Sequence, residues 1–203
     1  MNIETTKVYK NNFIEQVWKY RIDSIISMIH HLELESVKKG LREACYETYS
    51  FEELLDKQKK YPELRFIPIK KMKKINSYSI SSKKPTPNEV YDIRCLVVDI
   101  NNKENYVEKL EKENNKILGD LLGYPNCCKE SFRKNWVKDN KQDYTFEQAK
   151  SVNNAEINDN EIILNEDLPI GANGLLRWLG IRTVFHMPCS FDCKNSIGVY
   201  KEL

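Results

Sequence analysis

Four of the six cysteines in this chain fall in two tight clusters, Cys127 and Cys128 in GYPNCC and Cys189 and Cys193 in MPCSFDC, with 60 residues between them. Two such clusters beside turn residues are poor material for accidental packing. If both serve one purpose, the fold must bring two distant segments together, and no other feature narrows the possible folds so far. In a reducing compartment such cysteines read as metal ligands or reactive thiols before they read as disulfides. The opening MNIETTKVYKNN has no apolar stretch like a secretory leader, no run approaches about 18 apolar residues, and mean hydropathy is −0.62. A cytoplasmic chain with no membrane span is therefore expected.

The other two cysteines have blander readings. Cys45 extends an apolar stripe through Val37, Leu41 and Ala44, and Cys95 lies in the strand-like run IRCLVVDI; both are expected as small buried hydrophobes. Ahead of them, Ile14, Trp18, Ile22, Ile25, Ile29 and Leu32 recur at steps of three and four, which predicts an amphipathic helix over residues 11–34. That helix is scaffold, or a surface for a protein partner. His30 and His31, in its middle, are expected to be structural. Ser50-Phe51-Glu52-Glu53 predicts a capping box opening a short helix that stops before Pro62.

From Glu63 to Glu89 the pattern changes. RFIPI and INSYSIS predict short strands, and Lys70, Lys71, Lys73, Lys74, Lys83 and Lys84 gather with no acidic residue among them before Pro85-Thr86-Pro87 breaks the chain. Lysines in such a run could touch phosphates, but without interleaved arginines or a stacking platform a solvated loop or hairpin outweighs nucleic acid between Lys70 and Lys84. The near balance of 32 basic and 30 acidic residues, net +2, argues the same way for the whole surface. Residues 90–100 predict a buried strand and 103–121 a helix with Val107, Leu110, Ile117 and Leu121 on its apolar side. No fixed-period repeat and no phosphate-cradling glycine loop is present. The expected fold is α+β, mainly helical with a small sheet, with residues 1–89 forming a helical region and 90–203 a cysteine-rich domain.

Pro125 or Asn126 suits the start of a helix CCKESFRKNWVK, which puts Cys127 and Cys128 in its first turn. Unpaired backbone N–H groups and the positive end of the helix dipole favour the thiolate there, the form that binds metal or attacks an electrophile. Adjacent helical residues diverge by about 100°, so the two sulfurs are not expected side by side. If only one of the pair is functional, Cys127 is the site residue and Cys128 packs with Phe132 and Trp136. Downstream, IRTVFHMP predicts a strand ending at His186, and Ser190 the N-cap of a last helix FDCKNSIGVYKEL with Cys193 in its first turn. Two helix N-termini would thus aim thiols into one place. Thr145-Phe146-Glu147-Gln148 predicts a further capped helix with Phe146 and Ala149 inward. Asn173, Arg177 and Arg182 precede the His/Cys segment, where a guanidinium could hold a carboxylate or phosphate, although structural ion pairs are the commoner use. Trp178 reads as a core aromatic.

The pair LGYPNCC and FHMPCSFDCKNS resembles a family of uncharacterised prokaryotic proteins of unknown function with the motifs GYPxCC and HxPCSxxCxxS. The matching positions are Gly123, Tyr124, Pro125, Cys127, Cys128, His186, Pro188, Cys189, Ser190, Cys193 and Ser196. The resemblance spans about the last 90 residues and implies a real constellation without implying a reaction.

Three functions fit these residues. The first is a metal centre with Cys127, Cys128, Cys189 and Cys193 as thiolates and His186 as ligand or neighbour. An iron–sulfur cluster such as 4Fe-4S, with a role in oxidoreductase or sulfur chemistry on a small molecule or redox partner, ranks slightly ahead of zinc. The spacing CC-x60-CxxxC matches neither a zinc ribbon nor a ferredoxin run. The second is a metal-free thiol enzyme: Cys127 as nucleophile, His186 as base, Asp192 or Asn195 orienting the imidazole. The third is a zinc-stabilised module that binds a protein or RNA.

Overall fold

The computed structural model describes residues 12–73, 84–102, 104, 106, 115–138, 144–158, 161–164, 168–179 and 183–202, and for 12–14, 115–117 and 177–179 the backbone alone. Helix α1 runs from Asn12 to Lys38, a little longer than its apolar stripe. Its end is set by Gly40, whose φ of +69° is the left-handed conformation a glycine adopts without strain. Gly40 N–H donates to Val37 O and Leu41 N–H to Ser36 O, both at 2.9 Å, so the last carbonyls of the helix are satisfied by a Schellman turn. The stripe predicted to continue through Leu41 to Cys45 is therefore broken. Ala44–Tyr49 is strand β1 instead, and its alternate side chains are buried. Buried Arg42 holds the intervening turn, donating to Ser36 Oγ at 2.7 Å, to Glu33 O at 3.0 Å and to the Glu33 carboxylate at 3.3 Å.

Helix α2 (Phe51–Lys60) opens on the predicted box: Glu53 N–H donates to Ser50 Oγ at 3.3 Å and Ser50 N–H to Glu53 Oε2 at 2.8 Å. Strand β2 (Leu64–Lys73) and strand β3 (Tyr91–Asp99) complete an antiparallel sheet of order β1-β3-β2, with Cys45 and Phe66 both opposite Val97. Pro68 sits in the edge strand β2, where a missing N–H is tolerated, and the register slips there between Pro68 and Lys70. One face of the sheet closes on Leu34, Val37, Leu54 and Tyr61, burying Cys45, Tyr49, Leu64, Phe66, Cys95 and Val97. Both isolated cysteines are core residues, and burial pushes the Cys95 thiol up to about 11. His30 donates to the buried Glu47 carboxylate at 2.8 Å, and His31 Nδ1 lies 2.8 Å from Tyr61 OH.

Part of the lysine run is already engaged: Lys73 pairs with Glu89, and Lys71 lies 4.3 Å from the centre of the Tyr91 ring. Lys74, Lys83 and the INSYSIS segment lie outside the described residues, as does most of the predicted helix over 103–121, of which Asn115–Leu121 is helix α3.

After Gly123, again at a left-handed φ of +68°, come helix α4 (Asn126–Phe132), continued by a π-helical turn over Arg133–Lys138, and helix α5 (Tyr144–Lys150). The hairpin β4 (Glu156–Asn158) and β5 (Glu161–Ile163), 3₁₀ turns at Ile170–Ala172 and Gly174–Leu179, and helix α6 (Lys194–Glu202) follow. Three local expectations change. Helix α5 begins at Tyr144, so Thr145 is inside its first turn and not its cap; Tyr144, Thr145 and Gln148 face inward, while Phe146 is exposed.

The segment predicted as a strand before Pro188 has no ladder partner over 183–188. Its surroundings bond through side chains instead: Thr183 Oγ1 donates to Gly171 O, and Gln148 Nε2 to Pro188 O. The last helix starts at Lys194, three residues later than its predicted opening at Phe191. Cys193 O accepts from Ile197 N–H at 3.0 Å, which makes Cys193 the residue at the helix cap.

Two compact units result. One is His30–Gly123, containing the sheet; the other is Tyr124–Leu203 together with Met1–Ile29. The sheet of β1, β3 and β2 lies within the first of these. The architecture is α+β, and no described helix is long and apolar enough to cross a membrane.

Candidate metal centre

Pro125 supplies the entry to α4: Cys128 N–H and Lys129 N–H both reach Pro125 O at 3.0 Å, which leaves Cys127 and Cys128 in the first turn. Their sulfurs lie 3.8 Å apart, contrary to the expectation that they diverge. The reason is their position. Inside a helix the preceding turn blocks one side-chain rotamer; in the first turn nothing precedes, so both sulfurs can swing over the helix end. Each meets Cys193, Cys127 Sγ at 3.8 Å and Cys128 Sγ at 3.7 Å. Cys189 completes the group, and all four sulfurs lie within 4.8 Å of one another. Both cysteines of the vicinal pair thus belong to the cluster.

The second cysteine segment is pinned by polar side chains. Ser190 Oγ donates to Asp192 Oδ1 at 2.6 Å, and Asn153 donates to Asp192 Oδ2 through its backbone N–H at 3.1 Å and its amide at 2.8 Å. Burial works against the Asp192 charge, but these hydrogen bonds outweigh it and hold the carboxyl below its ordinary value. Asp192 therefore shapes the cysteine loop; no described contact joins it to His186. His186 Nε2 lies 2.8 Å from Ser196 Oγ, and its ring sits 5.6 Å from that of Tyr124. Burial pushes the imidazole down to about 4, so it is neutral at pH 7. It stands outside the group of four sulfurs. Arg177 is in the second 3₁₀ turn with its side chain outside the described residues, as is that of Trp178, and Arg182 lies outside them altogether.

Two further residues touch the sulfurs: Ser196, expected only as a motif position, has its Oγ 3.4 Å from Cys128 Sγ, and Asn195, expected to orient the imidazole, has an amide that donates to Cys127 Sγ at 3.3 Å. For Ser196 the signal was in the spacing, since a residue three beyond Cys193 shares its helical face.

The four sulfurs suit a cation. Hydrogen bonds led by that from Cys128 bring Cys193 down to about 4, the same contact and burial push Cys128 up, and burial pushes Cys189 up to about 12. Left alone, then, the group does not carry four charges. Thiolates about 2.3 Å from a shared centre at tetrahedral angles stand about 3.8 Å apart, against the observed 3.7 to 3.8 Å among three of these sulfurs. The donor set and its spacing fit a metal ion. No family model, curated protein or solved structure matches this chain.

Proposed function

We propose that Cys127, Cys128, Cys189 and Cys193 bind a single zinc ion, and that the chain is a zinc-stabilised module whose Tyr124–Leu203 segment depends on that site. The sulfur spacing carries the reading. In an iron–sulfur cubane each thiolate has its own iron, so the sulfurs stand roughly 6 Å apart across the cluster, wider than the 4.8 Å that encloses all four here. The slight preference for iron–sulfur over zinc therefore passes to a mononuclear site.

A bound zinc ion supplies a cross-link between α4 and the N-terminal end of α6, together with neutralisation of thiolate charge. Four protein thiolates fill a tetrahedral zinc, and such closed sites are structural. The neighbouring core agrees, because the sulfurs are themselves its main members: the buried cluster is Cys128, Ala172 and Cys193, with Cys127, Cys189 and Ile197 packed on it. The thiol-enzyme reading has less support. Among the described residues Cys127 meets Cys128, Cys189, Cys193 and Asn195, while the candidate base His186 hydrogen-bonds Ser196.

Elemental analysis of protein purified without added metal tests the proposal. One zinc per chain in a colourless solution is expected. Iron with acid-labile sulfide and absorption near roughly 400 nm, or no metal at all, overturns it.

A further inference from the structure

Ser196 is wholly buried, and its hydroxyl lies 3.4 Å from Cys128 Sγ and 2.8 Å from His186 Nε2; Cys193, which this hydroxyl also meets, has the Ser196 backbone N–H as a second donor. A hydroxyl has one proton to donate. If Ser196 gives it to His186, none remains for Cys128, and a thiolate has no proton of its own to offer in return. Cys128 is 2% exposed, so water is a poor substitute donor.

We propose that Ser196 and His186 are positioning residues of the four-cysteine site, arranged as a relay in which His186 Nε2–H donates to Ser196 Oγ and Ser196 O–H donates to the Cys128 thiolate. Loading the site with metal then selects the Nε2–H tautomer of His186. This inference rests on the reading of the four cysteines as a metal site.

Three features of the surroundings agree with that direction. The buried imidazole is neutral and so has one N–H to place, and the hydrogen bond it makes decides which nitrogen holds it. Tyr124 lies against the ring, 44° from coplanar, and limits its orientation. Asn195, the residue before Ser196, donates to the other member of the vicinal pair, Cys127. The first turn of α6 thus supplies one donor to each sulfur of Cys127–Cys128. Outer hydrogen bonds of this kind orient metal ligands and ease their charge, and losing one weakens metal binding about 10- to 100-fold.

The test uses the full chain loaded with zinc, competed against a chromogenic zinc chelator, together with long-range ¹H–¹⁵N NMR of the histidine rings. Nε2–H is expected at His186 in the loaded protein. Ser196→Ala and His186→Phe should each weaken zinc binding by about 10-fold or more. His186→Gln, whose amide N–H reaches where Nε2–H was, should stay within about threefold of the parent, and His186→Asn, which mimics the other nitrogen, should not. An Nδ1–H tautomer in the loaded protein, or unchanged zinc affinity in Ser196→Ala and His186→Phe, overturns the relay. Should Ser196→Ala fail to fold, the tautomer and the His186 series still decide. A parent chain that takes up no zinc defeats the four-cysteine reading itself; one that binds zinc while these variants change nothing defeats the relay alone.

Discussion

A strong chelator added to the zinc-loaded protein at neutral pH is expected to unfold the cysteine-bearing unit and spare the sheet unit. A structural zinc site contributes about 10–16 kcal/mol of apparent binding free energy near pH 7, while an entire domain is stable by only about 5–15 kcal/mol. Taking the ion away therefore removes as much free energy as a unit of this kind has to lose. The burial pattern says where the loss falls. The His30–Gly123 unit has its own core of Leu34, Val37, Leu54, Phe66, Val97 and their neighbours. Around the site, the buried cluster consists of Cys128, Cys193 and Ala172. Hydrogen exchange read by mass spectrometry distinguishes the two. Amides of α4 and α6, including Cys128 N–H and Ile197 N–H, which are bonded at 3.0 Å, should lose protection on chelation. Those of β3, paired on both sides, should retain it. Unchanged protection at Cys128 and Ile197, or simultaneous loss in β3, would refute the reasoning.

Other perturbations test neighbouring parts. A Cβ at Gly174 would come within 2.3 Å of Gln148 Oε1 and about 3 Å of two further atoms of that side chain. Gln148 is 1% exposed and bonded to Pro188 O beside Cys189, so Gly174→Ala should cost about 1–3 kcal/mol, seen as a lower Tm. Ser50→Ala removes one side of the capping box at α2 and should destabilise the sheet unit by about 1 kcal/mol in urea titration, without altering zinc content. Because Cys128 and Cys189 are held as thiols in the metal-free chain, zinc binding at pH 7 should release at least those two protons. Calorimetry in buffers of different ionisation enthalpy measures them, and zinc affinity should rise with pH through neutrality; proton-independent binding would contradict this.

What could be read in the residues was what depends on near neighbours. The α2 box is four consecutive residues answering one another's backbone groups, and the β3 run is apolar enough to be central in any sheet. The α1 stripe has its own period. Strand β1 escaped because Val37, Leu41, Ala44 and Cys45 continue a helical spacing, whereas Gly40 ends the helix through a backbone conformation that side-chain periodicity does not register. Likewise Val184-Phe185 looks like strand, but a strand exists only where another backbone lies beside it.

Residue types and positions by themselves determined that four cysteines sit in two clusters, one in a helix's first turn and the other around the start of the last helix. Their chemistry as candidate ligands follows from that alone. Tertiary structure decided how far apart the sulfurs are, that Cys128 joins Cys127 in the cluster, and that His186 meets Ser196 instead of a sulfur. The physical reason is one of range. Caps and periodicity act within a turn or two of chain, while the choice between a single ion and a multi-iron cluster depends on a difference of a few ångströms between atoms on segments 60 residues apart. That separation is set by the packing of α4, α6 and the loop bonded to Gln148 and Asn153, and no local pattern contains it.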